Sequence, residues 1–263
     1  RSMLPELPLL TPQNYINREL SAIEFNRRVL GLARERAIPL LERMRFLSIV
    51  GSNLDEFYMV RVSSYIKKLV MDISSVRPDG YSPDHLVYTI RDRVSVLLDD
   101  MRHTLRVLME ELRDEGIFVQ HTRDLSQADR QLLRQYFTDD VYPILTPLAA
   151  DSARPFPFIS NLSMNIGIYL AYPGRPDTPE EYEFVRLKIP ETLPRFIDLD
   201  KVRRKYGAVE SPDRITLVWV EDMISDNLDL LCPGMRVVEN HPFRVTRNAD
   251  IDYEHEKEDE DFD

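Results

Sequence analysis

Leu86, Ile90, Val94, Leu97, Met101, Leu105, Leu108 and Leu112 are spaced four, four, three, four, four, three and four residues apart. A strand alternates with period two, so only a helix of 3.6 residues per turn lines these side chains along one face. At 1.5 Å per residue, a helix over 83–115 is roughly 50 Å long. An apolar seam of that length predicts packing against other helices, as in a bundle core. Gly116 stands where a helix C-terminus favours glycine.

The residues before this seam also read as helix, from about 16 onward. Ser21 is expected as an N-cap, with Glu24 at capping-box spacing and Phe25, Val29, Leu32 and Ala33 on the apolar face. A second helix can begin at Pro39, with Leu40, Leu41, Met44, Leu47 and Val50 facing the core. A third is expected from about Ser52, carrying Leu54, Phe57, Tyr58, Val62, Tyr65, Ile66 and Leu69. Pro78, Asp79, Gly80 and Pro83 make 76–83 a turn.

After Gly116 the pattern changes. Ser126 is expected to cap a helix bearing Leu132, Leu133, Tyr136 and Phe137. Leu162, Met164, Ile166, Ile168 and Leu170 alternate with period two, as do Val185, Leu187 and Ile189, and then Ile215, Leu217 and Trp219. Each predicts a half-buried strand. Residues 221–231 read as helix and 236–245 as strand. The fold class is therefore α+β overall, an N-terminal antiparallel helical bundle followed by an α+β domain. The boundary is expected near 114–122, giving domains 1–116 and 117–263.

Charge narrows the classes of partner. The net charge is −11 over 263 residues, but 250–263 alone holds nine acids and one lysine. The other 249 residues carry 36 acidic and 33 basic groups. So balanced a body argues against broad binding of nucleic acid or free polyanion, though not against one anionic ligand in a local pocket. The acidic run reads as a solvated end. No stretch approaches the roughly 18 apolar residues of a membrane span, and the opening RSMLPELPLLTP is not a secretion signal. A single cysteine, Cys232, closes no disulfide within the chain and reads as a small buried hydrophobe, which suits a reducing, cytoplasmic setting.

No phosphate-binding glycine loop, dinucleotide fingerprint or zinc-protease motif is present, and eight glycines leave little room for a phosphate cradle. His85, His103, His121, His241 and His255 show no metal-ligand spacing. They read as solvated histidines, with His241, before Pro242, in a turn. The segment that stands out is Gly51-Ser52-Asn53-Leu54-Asp55-Glu56. Ser52 or Asn53 could simply cap the third helix. Alternatively, the Asn53 amide could turn outward and offer a donor and an acceptor to a planar ring such as a base.

Several blocks carry a resemblance. They are Asn17-Arg18-Glu19-Leu20-Ser21, Phe25-Asn26, Arg28-Val29-Leu30, 39–47 (PLLERMRFL), Ser52-Asn53-Leu54-Asp55-Glu56-Phe57 and Val60-Arg61-Val62. In the second half come Thr146-Pro147-Leu148, 155–162 (PFPFISNL), Lys188-Ile189-Pro190, Leu193-Pro194-Arg195-Phe196 and 243–250 (FRVTRNAD). Together they resemble the polyphosphate kinase family that works through a phosphohistidine. The resemblance implies a helical N-terminal domain, a head domain used in dimerisation (here the α+β head domain 117–263, incomplete at its C-terminal end), and two further domains related to the phospholipase D fold. It also implies reversible transfer of the terminal phosphate of ATP to polyphosphate, with ADP as the other product and magnesium as the metal. Asn53 matches the family's adenine-contacting asparagine. The nucleophilic histidine, the metal ligands and the polyphosphate tunnel belong to the later domains, so no catalytic and no metal-binding residue is expected here, and the chain alone is expected to be inactive. Ala22-Ile23 departs from the tryptophan-led pair often found after Glu-Leu-Ser. Homo-oligomerisation through the head domain and a cytoplasmic location, compatible with peripheral association at a membrane, complete the expectation. The competing reading is a non-catalytic helical scaffold or protein-binding module.

Overall fold

A computed structural model describes residues 11–71, 78–150, 158–209 and 214–248, the side chains of Gln13 and Ala150 excepted. It divides into two compact units, Leu112–Val245 and the residues flanking that span.

The helical unit begins with α1 (Arg18–Arg34). Asn17, not Ser21, is its N-cap: Asn17 Oδ1 accepts from the backbone N–H groups of Glu19 and Leu20, each at 3.0 Å. Its Nδ2 donates to Asp79 Oδ2 at 2.9 Å, so the cap also ties down the turn before the long helix. Ser21 lies inside the first turn, its N–H already donated to the Asn17 carbonyl. The buried face is Leu20, Ile23, Asn26, Leu30 and Ala33. Of the face expected from sequence only Ala33 is fully buried, Val29 is partly buried against the core, and Phe25 is 51% exposed. The true stripe was hidden because a polar residue, Asn26, occupies its middle.

Pro39 immediately precedes α2 (Leu40–Glu56), whose buried face is Arg43, Leu47, Val50 and Leu54. Leu41, expected on that face, is exposed. The break expected at Gly51-Ser52-Asn53 does not occur. The helix continues through a π-helical stretch, Phe57–Val62, into α3 (Ser63–Val70). Val50, Leu54 and Phe57 keep the buried spacing unbroken across the glycine, and that packing outweighs a propensity cost of about 1 kcal/mol. Just past the wider π turn the hydroxyls of Ser63 and Ser64 donate back to the carbonyls of Met59 and Arg61, both at 2.7 Å.

Then α4 (Pro83–Asp114) runs for 32 residues, and Gly116 follows with φ +78, a left-handed conformation that favours glycine. Leu86, Ile90, Val94, Leu97, Leu108 and Leu112 are buried as expected, but Leu105 is 42% exposed and Thr104 takes its place. The Thr104 hydroxyl accepts from Arg34 Nε at 2.9 Å, which fixes that turn's rotation. Arg43 Nε donates to the Ala33 carbonyl and Asn53 pairs with Asn26, so α2 runs antiparallel to α1. Arg93 meets Glu24 and Arg34 meets Asp100, so α4 runs alongside α1 and antiparallel to α2. The result is the expected bundle, up, down and up.

The second unit carries two sheets. β1 (Ile117–Gln120), β5 (Phe196–Asp198) and β6 (Ile215–Trp219) form one in the order β1-β6-β5, with β1 parallel and β5 antiparallel to β6. β2 (Pro147–Ala150), β3 (Met164–Ala171), β4 (Glu183–Lys188) and β7 (Arg236–Arg244) form an antiparallel sheet in the order β2-β4-β3-β7. Its helices are α5 (Gln127–Tyr136), capped by Ser126, α6 (Leu199–Lys205), α7 (Val220–Ser225) and α8 (Leu228–Leu231). The core joins Phe137 and Val141 to Ile166, Ile168, Leu170, Val185, Leu187 and Met223. Gly167 is needed in β3, since a Cβ there would lie 3.0 Å from the Phe184 ring.

Three expectations change here. In β6 the buried residues are Thr216 and Val218, while Ile215 is exposed and Trp219 pairs with Phe196, ring centroids 4.5 Å apart. The helix expected over 221–231 is two short ones, with Asn227 between them donating to the Met223 carbonyl. His241 is no turn residue but lies in β7 opposite Gly167; β7 is an edge strand, where the missing N–H of Pro242 is tolerated. Cys232 is a buried hydrophobe, and burial pushes its thiol pKa up. The acidic run 250–263 with His255, and parts of 76–83 and 155–162, lie outside the described residues.

Candidate functional site

Asn53 sits in the last turn of α2 and caps no helix, so the capping reading gives way to a tertiary one. Because α1 and α2 are antiparallel, Asn53 meets Asn26, which is 5% exposed on the core stripe of α1. Asn26 Nδ2 donates to the Ala22 carbonyl at 3.0 Å. Asn26 Oδ1 accepts from Asn53 Nδ2 at 2.9 Å. The Asn53 amide is held on one side, and its own Oδ1 accepts from no group among the described residues.

A cleft of about 310 Å³ opens at this pair, lined by Ala22, Phe25, Asn26, Asn53, Glu56, Phe57, Val60 and Arg61. Its volume is at the lower end of the roughly 300–1,000 Å³ typical of small-molecule sites. Phe25 and Val60 are large apolar groups left open to solvent, and the amide supplies a fixed polar point among them. That combination suits a flat heteroaromatic ring, which needs apolar faces and a polar edge. The π stretch helps to form it: Phe57, Val60 and Arg61 all belong to that turn, and such turns recur at functional sites. No ion pair joins Arg61 to the described residues, so a cation stands at the cleft.

Clefts of similar size occur elsewhere, and size does not separate them. One of about 340 Å³ contains Arg34, Arg43, Asp100 and Glu111, but Arg34 is already committed to Thr104 and Asp100, and the buried Arg43 to Ala33 and Glu111. Another, about 260 Å³, contains Arg130, Arg134 and Asn227, with Arg134 held by Asp229 and Asn227. Among the described residues no group of three or more His, Cys, Asp or Glu side chains could hold a metal ion. His85, His103, His121 and His241 are exposed, and His121 Nδ1 lies 2.6 Å from Asp222 Oδ2. No helix among the described residues is long and apolar enough to cross a membrane.

Sequence reasoning singled out Asn53 but missed Phe25, Asn26, Val60 and Arg61 as its neighbours. One signal was available: Asn26 interrupts the spacing 20, 23, 30, 33 at the position where an apolar residue belongs. A polar side chain at a core position demands a partner, and Asn53 is that partner.

Comparisons with known proteins cover both units. The family model described as the polyphosphate kinase N-terminal domain matches residues 15–120, and that of the polyphosphate kinase middle domain matches 128–262. A polyphosphate kinase of Synechocystis is 43% identical over 97% of the chain and 35% of its own length. One from Mycobacterium tuberculosis is 40% identical over 95% of the chain and 34% of its own length. The crystal structure of polyphosphate kinase from Porphyromonas gingivalis superposes with a TM-score of 0.74 at 26% identity, covering 89% of the chain and 33% of that structure. The chain thus spans about a third of the length of these relatives.

Proposed function

The chain belongs to the polyphosphate kinase family, and from that premise we propose that its helical unit holds the adenine of ATP in the α1–α2 cleft while later parts of the complete enzyme act on the phosphates. The observation that carries this reading is the Asn53 carbonyl oxygen, without a partner among the described residues and held in place by Asn26 within a cleft walled by Phe25 and Val60.

The division of labour follows from the chemistry. Transfer of a terminal phosphate to polyphosphate needs a nucleophile and cations around the reacting oxygens. The cleft offers neither a histidine nor a cluster of cations, only Arg61. It can therefore supply orientation, because fixing the base at one end of the nucleotide restricts where the triphosphate reaches. Magnesium would act on the phosphates, and no residue of this chain is assigned to it. The near balance of charge outside 250–263 fits the same division, since a polyphosphate path requires a strongly basic surface.

The α+β unit is proposed as the region through which copies of the protein pair. Tyr142, Ile144 and Leu148, close in sequence, are all exposed apolar groups that such pairing would cover. The setting proposed is the cytoplasm, where ATP is abundant and a lone buried thiol stays reduced.

The test is Asn53→Ala in a complete polyphosphate kinase whose N-terminal third is this sequence. KM for ATP is expected to rise on the order of tenfold, the loss of a paired base edge, with kcat changed less than about threefold. A normal KM with a collapsed kcat would remove the base-holding role and favour a structural or partner-binding module.

A further inference from the structure

We propose that Asn26 is a positioning residue that sets the nucleotide selectivity of the cleft: by fixing which way the Asn53 amide faces, it favours a 6-aminopurine over a 6-oxopurine. This rests on the reading of the cleft as a base site.

An asparagine amide has nearly the same shape in either orientation, so only its partners decide where oxygen and nitrogen lie. Here the order is forced from one end. The Ala22 carbonyl can only accept, so Asn26 must turn its NH2 toward it. Asn26 Oδ1 is then left facing Asn53, and being an acceptor it requires the Asn53 NH2. Asn53 Oδ1 is what remains for a ligand. The relay is protected, because Asn26 is buried and water cannot easily substitute for either bond.

An oriented acceptor recognises a donor. The exocyclic amine of adenine can donate to Asn53 Oδ1, while the second N–H of the same amide can reach a ring nitrogen that accepts, the usual two-point match of asparagine to adenine. Hypoxanthine reverses the pattern, presenting an oxygen where adenine has the amine and an N–H at the adjacent ring nitrogen. To suit it, the Asn53 amide would have to flip, losing the Asn26 bond and setting two oxygens face to face. Discrimination thus resides in a residue that need not touch the base, and Phe25 and Val60, which offer only apolar contact, cannot supply it.

The experiment compares kcat/KM for ATP and for inosine triphosphate in the complete enzyme, with Asn26→Leu, Asn26→Asp and Asn53→Ala. Wild type should prefer ATP by roughly tenfold or more. Asn26→Leu, which frees the amide to turn, should lower that ratio at least about fivefold. Asn26→Asp still offers only acceptors to Asn53 and should keep the ratio even if the fold loses stability. If Asn26→Leu does not fold, Asn26→Ala takes its place without added bulk. An Asn26→Leu or Asn26→Ala enzyme with the wild-type ratio, alongside an Asn53→Ala enzyme with raised KM for ATP, overturns the relay alone. An unchanged KM in Asn53→Ala overturns the base site and the relay with it.

Discussion

Arg43 is buried at the start of α2, and its guanidinium is fully engaged: Nε donates to the Ala33 carbonyl at 3.0 Å, and the two terminal nitrogens bind the Glu111 carboxylate. Those hydrogen bonds hold the Glu111 carboxyl below its ordinary pKa, against the opposing effect of desolvation. The sign follows directly. A depressed acid contributes stability above its unfolded value of about 4.3 and loses it as pH falls through the lower folded value. Glu111→Gln is therefore expected to cost roughly 2 kcal/mol at neutral pH, the worth of a hydrogen bond to a charged group. In urea unfolding the gap between wild type and variant should close as the pH is taken well below 4; a gap independent of pH would remove the ion pair as its cause. Neither Arg43 nor Asn26 was legible as a core residue. Both are polar side chains in apolar stripes, and a hydrophobic pattern skips them. Asn53 was singled out as a candidate only through a family resemblance, since its local chemistry favours a cap.

At the scale of elements, legibility depended on how many residues voted. The seam of α4 was readable because seven of its eight apolar residues agree, and the one error, Leu105 for Thr104, is a choice between adjacent positions that hydropathy decides wrongly. Thr104 wins because its hydroxyl accepts from Arg34 and donates to the Asp100 carbonyl. Leu97→Ala should accordingly cost about 2–5 kcal/mol by opening a cavity, whereas Leu105→Ala should stay within about 1 kcal/mol. Chemical denaturation of the two variants distinguishes them; equal losses would mean that the seam passes through Leu105 after all. The rod from 40 to 70 shows the opposite failure. Gly51, Ser52 and Asn53 are weak helix formers, so local preference argued for a break, and only the bundle's packing carries the helix across. In β6 the larger apolar residues misled in the same way, because Thr216 and Val218 fit the pleated core while Trp219 found Phe196 outside it.

For the molecule as a whole, the α+β class could be read from periodicity, since a 3.6 period gives way to a period of two after Gly116. The cleft could not, because its walls are brought together from α1, α2 and the π turn by antiparallel packing, and Phe25 looked like core. On the proposed reading, function follows from that assembly: a bundle that aligns Asn26 with Asn53 would give a rigid place for a base, far less demanding in charge than a path for polyphosphate. Photoaffinity labelling of the complete enzyme with 8-azido-ATP tests this most directly. Peptide mapping is expected to find ATP-protectable label on residues of Arg18–Arg34 or of 53–62, and Asn53→Ala should reduce it. Label confined to peptides outside 18–71, unaffected by Asn53→Ala, would contradict the assignment of the nucleotide base to this cleft.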